Sequence, residues 1–318
     1  MLDRLLDDET LAFAGISGTS AGAINAAVMA TGFARGGHTA AREALRAFWH
    51  DTSRSGSPFS PVESARIGTM ALDQLPGYQW LSSFWRSFSP YEFNPLNVNP
   101  LKGLLARHVD CDALRTGPPR LFVTATRVHT GQARVFTNAD LSLDALLASA
   151  CLPHLFQAVE IDGEPYWDGG YTGNPALYPL IYDTEALDLL LVRINPLVRD
   201  ATPRRSVEIL DRLAEITFNA SLNGEMRAIA FVSRLVREGR LDPGHYKDLR
   251  LHMIADDAGL EGLGATSKMD TTLPFLERLF ELGRAAAAKW LRAHRADIGV
   301  RATLDIEHEF LTPRRVRH

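Results

Sequence analysis

A surplus of basic residues is the first thing this sequence does without. Its 318 residues hold 34 Lys and Arg against 38 Asp and Glu, a net charge of −4. A surface built to neutralise nucleic-acid phosphates is therefore not expected. Cysteine is nearly absent. Cys111 and Cys151 are the whole complement, too few to staple a chain of this size or to build a Cys-rich zinc site, and they point to a reducing compartment. The ten histidines fall into no H-E-x-x-H or similar spacing, so no metal site is expected. There is no run of 18 apolar residues, hence no transmembrane helix. The acidic opening Met1–Thr10 lacks the basic, apolar and small-residue regions of a signal peptide. A cytoplasmic protein is the expectation. With 46% apolar and 23% charged residues and ordinary glycine and proline usage, the chain is neither disordered nor fibrous.

Hydrophobic patterning supplies the elements. Leu2, Leu5 and Leu6 sit at helical spacing, and Ala12–Ile16 reads as a buried strand. The Ala-rich stretch Ala21–Thr31 and then Thr39–His50 read as two helices. Residues 52–100 are irregular yet aromatic, with Trp80, Phe84, Trp85, Phe88, Tyr91 and Phe93, and read as a cap-like insertion. Arg120–Thr126 and Ala133–Phe136 read as strands, and Leu143–Ser149 as a helix. Phe156–Ile161 and Pro165–Trp167 suit a hairpin turning at Asp162-Gly163. Asp188–Ile194 is apolar enough for a central strand covered on both faces. Residues 204–239 form a long helix, Leu249–Ala255 a strand and Leu273–His294 a helix. Strands alternating with helices indicate an α/β layered domain with a largely parallel sheet. No boundary is visible within 1–318, and the tail 313–318 is basic.

Two short motifs carry chemistry. Gly18-Thr19-Ser20-Ala21-Gly22 is a G-x-S-x-G. Such a turn lifts a serine off a strand end and into a helix N-terminus, with glycines making room on either side. There the Ala21 amide can donate to a developing oxyanion. The pattern arises by chance about once in ten chains of this length. The preceding apolar strand and following Ala-rich helix are what favour a nucleophile over an inert Gly-rich turn. The second motif is Asp168-Gly169-Gly170, after a strand. Alone, D-G-G is most often a turn. Paired with Ser20, Asp168 becomes a candidate base, and Gly169 and Gly170 permit close backbone approach.

With both motifs in this order, the chain resembles the bacterial patatin-like phospholipases. That likeness extends to Ala148–Phe156, Leu191–Pro196, Ile216–Ile229 and Ser267–Leu291, and is weakest in 52–100. It implies a three-layer α/β/α sandwich over 1–318 and a Ser20–Asp168 dyad that hydrolyses acyl esters through an acyl-enzyme. Lipids are the implied substrates, as for a phospholipase A or lysophospholipase. It implies no cofactor, and it allows peripheral contact with a membrane. Burial should raise the pKa of Asp168 so that it serves as a base at neutral pH. The sequence departs from the family at its start. The family's first strand and Gly-rich G-G-G-x-[RK]-G loop, the main oxyanion donors, have no counterpart. Met1 is accordingly expected to be an internal start or a truncation point, and an in-frame stop codon directly upstream would contradict this.

Two other readings stay open. A conventional Ser-Asp-His esterase would use Ser20, Asp168 and then His245 or His252, although that fold places several strands before its serine. A non-catalytic relic that binds lipid or a partner is the other. His154, which follows Pro153 close to the proposed site, reads as a helix-end or pocket-lining residue. Gly259–Lys268 lacks the lysine and the leading strand of a phosphate loop. Arg234, Arg237, Arg240 and the basic tail read as solvated surface, or else as contacts to anionic headgroups.

Overall fold

Alternation along one strand organises the fold. A computed structural model describes residues 1–55, 66–67, 70–71, 89–199, 201–260, 263, 267 and 270–312. At its centre is β4 (Arg120–Arg127), buried along six consecutive positions. Leu121, Val123 and Ala125 point into the main apolar core, while Phe122, Thr124 and Thr126 face the opposite layer, as the two-residue period of a strand requires. On β4 pair β1 (Gly15–Thr19, parallel), β5 (Ala133–Thr137, antiparallel) and β7 (Glu164–Asp168, antiparallel), and β6 (Val159–Ile161) extends the sheet antiparallel to β7. A short antiparallel pair joins β2 (Arg66–Ile67) and β3 (Met70–Ala71). A third sheet holds β8 (Asp188–Val192) and β9 (Arg250–Ile254), paired in parallel. The parallel arrangement read from the sequence thus holds for β1–β4 and β8–β9, and the hairpin strands return antiparallel.

The helices are α1 (Leu2–Leu5), α2 (Ala21–Arg54), α3 (Pro90–Phe93), α4 (Pro100–His108), α5 (Cys111–Thr116), α6 (Leu143–Ser149), α7 (Tyr178–Asp183), α8 (Ser206–Arg237) and α9 (Leu273–His294). Non-helical backbone at Gly36 and Gly37 divides α2 into two arms, the two helices read from the sequence. The first arm and α6 pack under the sheet through Ala23, Ala27, Ala145 and Leu146. On the other face α7 and α8 enclose a second core with Leu189, Leu191, Leu222 and Met226. Helices therefore cover both sides of an α/β layer. The acidic opening is clamped by arginines: Asp3 pairs with Arg42, Arg46 and Arg284, and Asp8 with Arg295.

Two readings need correction. The strand leading to Ser20 is Gly15–Thr19, three residues later than Ala12–Ile16. Ala12 and Ala14 are exposed, whereas Gly15 sits against Leu180 and Phe122. The strand at 188 is covered on both faces, by Leu189 and Leu191 in one core and Leu190 and Val192 in another. Among the described residues, however, it pairs only with β9 and is not central. Of the cap-like insertion, Trp80, Phe84, Trp85 and Phe88 lie outside the described residues, as do the tail 313–318 and most of Gly259–Lys268. Tyr91 and Phe93 are exposed, and the Tyr91 hydroxyl accepts from the Ala158 amide at 3.3 Å. Among the described residues no helix is long and apolar enough to cross a membrane.

Candidate active site

Ser20 occupies the junction between β1 and α2 with φ 55° and ψ −126°. That left-handed backbone is costly for a residue with a Cβ, on the order of 1–3 kcal/mol. The serine caps α2 by position only, because its side chain makes no capping hydrogen bond. Its own amide is spent on Ser149 Oγ at 3.0 Å. The first intrahelical bond of α2 runs from Ile24 N to Ser20 O, so the Ala21 amide has no partner within the helix and Ala21 is exposed. Gly18 permits the tight turn: a methyl there would meet Gly22 C and O at 2.6 Å. Gly22 differs from the sequence reading. A methyl there meets nothing within 4 Å, since it faces outward from the first turn, and the turn needs only Gly18 for space.

Asp168 ends β7 and is only 1% exposed. Its backbone is fixed twice: its amide donates to Cys151 O at 2.8 Å, and its carbonyl accepts from Thr126 Oγ1 at 2.8 Å. Oδ1 accepts the Gly170 amide at 2.7 Å, and Oδ2 is buried with no fully formed hydrogen bond. Loss of water pushes the carboxyl up to about 6, because burial penalises the charged form. The Ser20 hydroxyl and the Gly170 amide pull it part of the way back. Ser20 and Asp168, 148 positions apart in sequence, thus face one another. Gly169 lies so close to β4 that a methyl would sit 2.0 Å from Thr124 O, and a methyl on Gly170 would sit 3.0 Å from Asp168 Oδ1 and 3.2 Å from the Phe218 ring.

A second set of residues holds these two motifs in register, and sequence reasoning did not single them out. From β1, Thr19 Oγ1 donates to Gly173 O at 2.7 Å and Ser17 Oγ to Ala176 O. From α8, Ser221 Oγ accepts the Asn174 amide at 3.2 Å, and Glu225 accepts the Leu177 and Tyr178 amides at 2.8 Å. The loop after Asp168 is therefore tied to the serine strand on one side and to α8 on the other. Ser149, fully buried at the end of α6, lies in the family-like stretch Ala148–Phe156, whose sequence alone points to no role for it. Polar residues within apolar runs were the available signal, since buried hydroxyls need partners.

The other candidates lie elsewhere. Both ring nitrogens of His252 are engaged, by Asp188 Oδ1 at 3.1 Å and Thr303 Oγ1 at 2.9 Å. His245 is on the surface with Asp242, and His154 is exposed. Among the described residues no histidine bonds Ser20 or Asp168. Burial pushes the Cys151 thiol up to about 12, which leaves it protonated and unreactive. The arrangement is a strained serine at a helix N-terminus, facing a desolvated carboxylate of raised pKa, with an amide beside the hydroxyl. A family model described as Patatin-like phospholipase matches residues 1–181, a span holding Ser20 and Asp168. No curated protein matches the chain.

Proposed function

The chain belongs to the patatin-like phospholipase family, and from that membership we propose that it hydrolyses lipid acyl esters through a Ser20–Asp168 dyad. The carrying observation is the buried Asp168 carboxylate, its Oδ2 free of a formed hydrogen bond and its pKa raised to about 6 beside Ser20. A carboxylate at its ordinary pKa is a weak base at neutral pH, and one near 6 accepts a proton far more readily.

In this mechanism Asp168 removes the Ser20 proton as Oγ attacks the ester carbonyl carbon. The carbonyl oxygen becomes an oxyanion that the Ala21 amide and the N-terminal end of α2 stabilise. When the tetrahedral intermediate collapses, the carbon–oxygen bond to the alcohol or lysolipid breaks, and the proton on Asp168 passes to that leaving oxygen. Water then attacks the acyl-enzyme with Asp168 again taking a proton, and Ser20 and a free fatty acid are released.

Fatty acid release from phospholipid and lysophospholipid micelles, followed by mass spectrometry, tests the reading. Log kcat/KM should rise with pH and level off with a midpoint near 6, set by the free enzyme's base. A rate flat across that range, or no release from any acyl ester, would contradict it. Ser149→Ala should lower kcat about tenfold to a hundredfold with KM unchanged, because it frees the Ser20 amide and lets the turn relax. Threonine at 149 should restore most of that loss. An equal fall for alanine and threonine would assign Ser149 to packing alone.

A further inference from the structure

Helix α8 is apolar on two opposite faces. Its inner face holds Leu222, Met226 and Ile229 in the second core, and Phe218 stacks edge-on against Tyr171 at 5.3 Å, next to the Asp168 loop. The outer face carries Ile209 (42% exposed), Leu213 (54%), Ile216 (51%) and Phe231 (52%). At 100° per residue these four fall within a narrow stripe, about 33 Å long. Exposed large apolar side chains aligned in this way mark an interaction surface. The charged side chains described on the same stripe are Arg205, Arg227 and Arg234, followed at its end by Glu238, 4.0 Å from Arg234 Nε. Arg227 has no ion-pair partner among the described residues, and Arg234 lies over the Phe231 ring at 5.5 Å. The neighbouring acids are turned away: Glu208 accepts the Arg204 and Arg205 amides at 3.2 Å, Glu215 is buried, and Glu225 caps the Leu177 loop.

We propose that this outer face of α8 docks on an anionic lipid surface. Apolar side chains interleaved with arginine on one helical stripe suit an interfacial helix, the former entering the acyl boundary and the latter meeting headgroups. A second copy of the chain is the poorer occupant. A twofold contact centred on this face would set Arg227 against its own copy, with the stripe's described carboxylate, Glu238, at the far end and already beside Arg234. Docking here would hold the Asp168 loop one helix diameter, about 10 Å, from the lipid. The proposal deepens the lipid-hydrolase reading, but its test needs no turnover, so either can fail alone.

The test is flotation of the full chain carrying Ser20→Ala with vesicles of phosphatidylcholine alone or mixed with phosphatidylglycerol. Binding to the mixed vesicles that weakens with salt is expected. Leu213→Asp with Ile216→Asp should reduce partitioning about tenfold or more, and Arg227→Glu should cost about fivefold or more on mixed vesicles only. Unchanged melting temperatures would show that the variants fold, and Arg227→Glu, at an exposed site, keeps the test valid if the paired variant does not. No flotation with anionic vesicles, or flotation indifferent to these changes, overturns the proposal. So does a concentration-dependent dimer that the paired variant dissolves, which would assign the face to a second copy.

Discussion

Asp168→Asn should lower ester hydrolysis about 10⁴-fold and at the same time stabilise the protein. Asparagine keeps an acceptor for the Gly170 amide and the same shape, but it cannot take the serine proton. The stability gain follows from linkage. The folded carboxyl titrates near 6 instead of its ordinary 3.8. Between those pH values the folded state holds the proton more tightly than the unfolded chain, so stability falls as pH rises through that window. Above about 6 the full cost applies, on the order of 3 kcal/mol, and below 3.8 none remains. Thermal melts of parent and variant should therefore coincide below pH 3.8, separate as pH rises to about 6, and stay apart above it, with the variant melting several degrees higher. Ser20→Ala should cost as much activity as Asp168→Asn, and the double variant little more, since the two act as one unit. A variant that is both inactive and less stable at pH 8 would mean that the carboxylate is held for structure.

Gly169→Ala should destabilise the fold by about 4 kcal/mol or more. The added methyl would fall 2.0 Å from Thr124 O and 2.5 Å from Thr124 C, with Thr19 Cγ2 at 3.0 Å. Both atoms of Thr124 are backbone, and Thr124 is in register with Thr19 in the parallel ladder. Relief would have to pull β4 from β1 or move Asp168, so packing cannot absorb the clash as a flexible side chain would. Urea denaturation reads the effect, with loss of soluble protein as its extreme form. Gly22→Ala is the control. With nothing within 4 Å and helical backbone, it should be neutral or stabilising by about 0.5–1 kcal/mol.

The sequence made the local features legible and left the long-range ones hidden. The hairpin turning at Asp162-Gly163 was readable because both residues need positive φ, found at 55° and 78°, and Asp-Gly is the usual pair for such a turn. Leu273–His294 was readable to the residue because its apolar spacing is regular and Thr272 and Pro274 mark its start. The serine strand was misplaced because Ala12 and Phe13 supply an apolar signal, whereas Ser17 and Thr19 look like loop residues until their hydroxyl acceptors at Ala176 and Gly173 are known. Those acceptors lie 159 and 154 positions away, beyond any local pattern. Ser149 was missed for the same reason: its partner, the Ser20 amide, is 129 positions distant. Ser20 and Asp168 stood out only because each sits in a short glycine-flanked motif. Even there the pattern misjudged Gly22, since spacing does not reveal which side of a turn is crowded.

Asp168 also bears on the reading of the chain as a relic. A buried carboxylate with an unpaired oxygen costs stability at neutral pH, as does positive φ at Ser20. A lipid-binding surface alone would gain nothing from either, whereas acyl transfer uses both. The most direct measurement of that claim is the rate of fluorophosphonate labelling against pH, read by intact mass on the parent and Ser20→Ala proteins. A single adduct on the parent, absent from the variant, forming at a rate that climbs with a midpoint near pH 6, is the predicted result. A folded parent that takes no adduct, or takes one that survives Ser20→Ala, would contradict it.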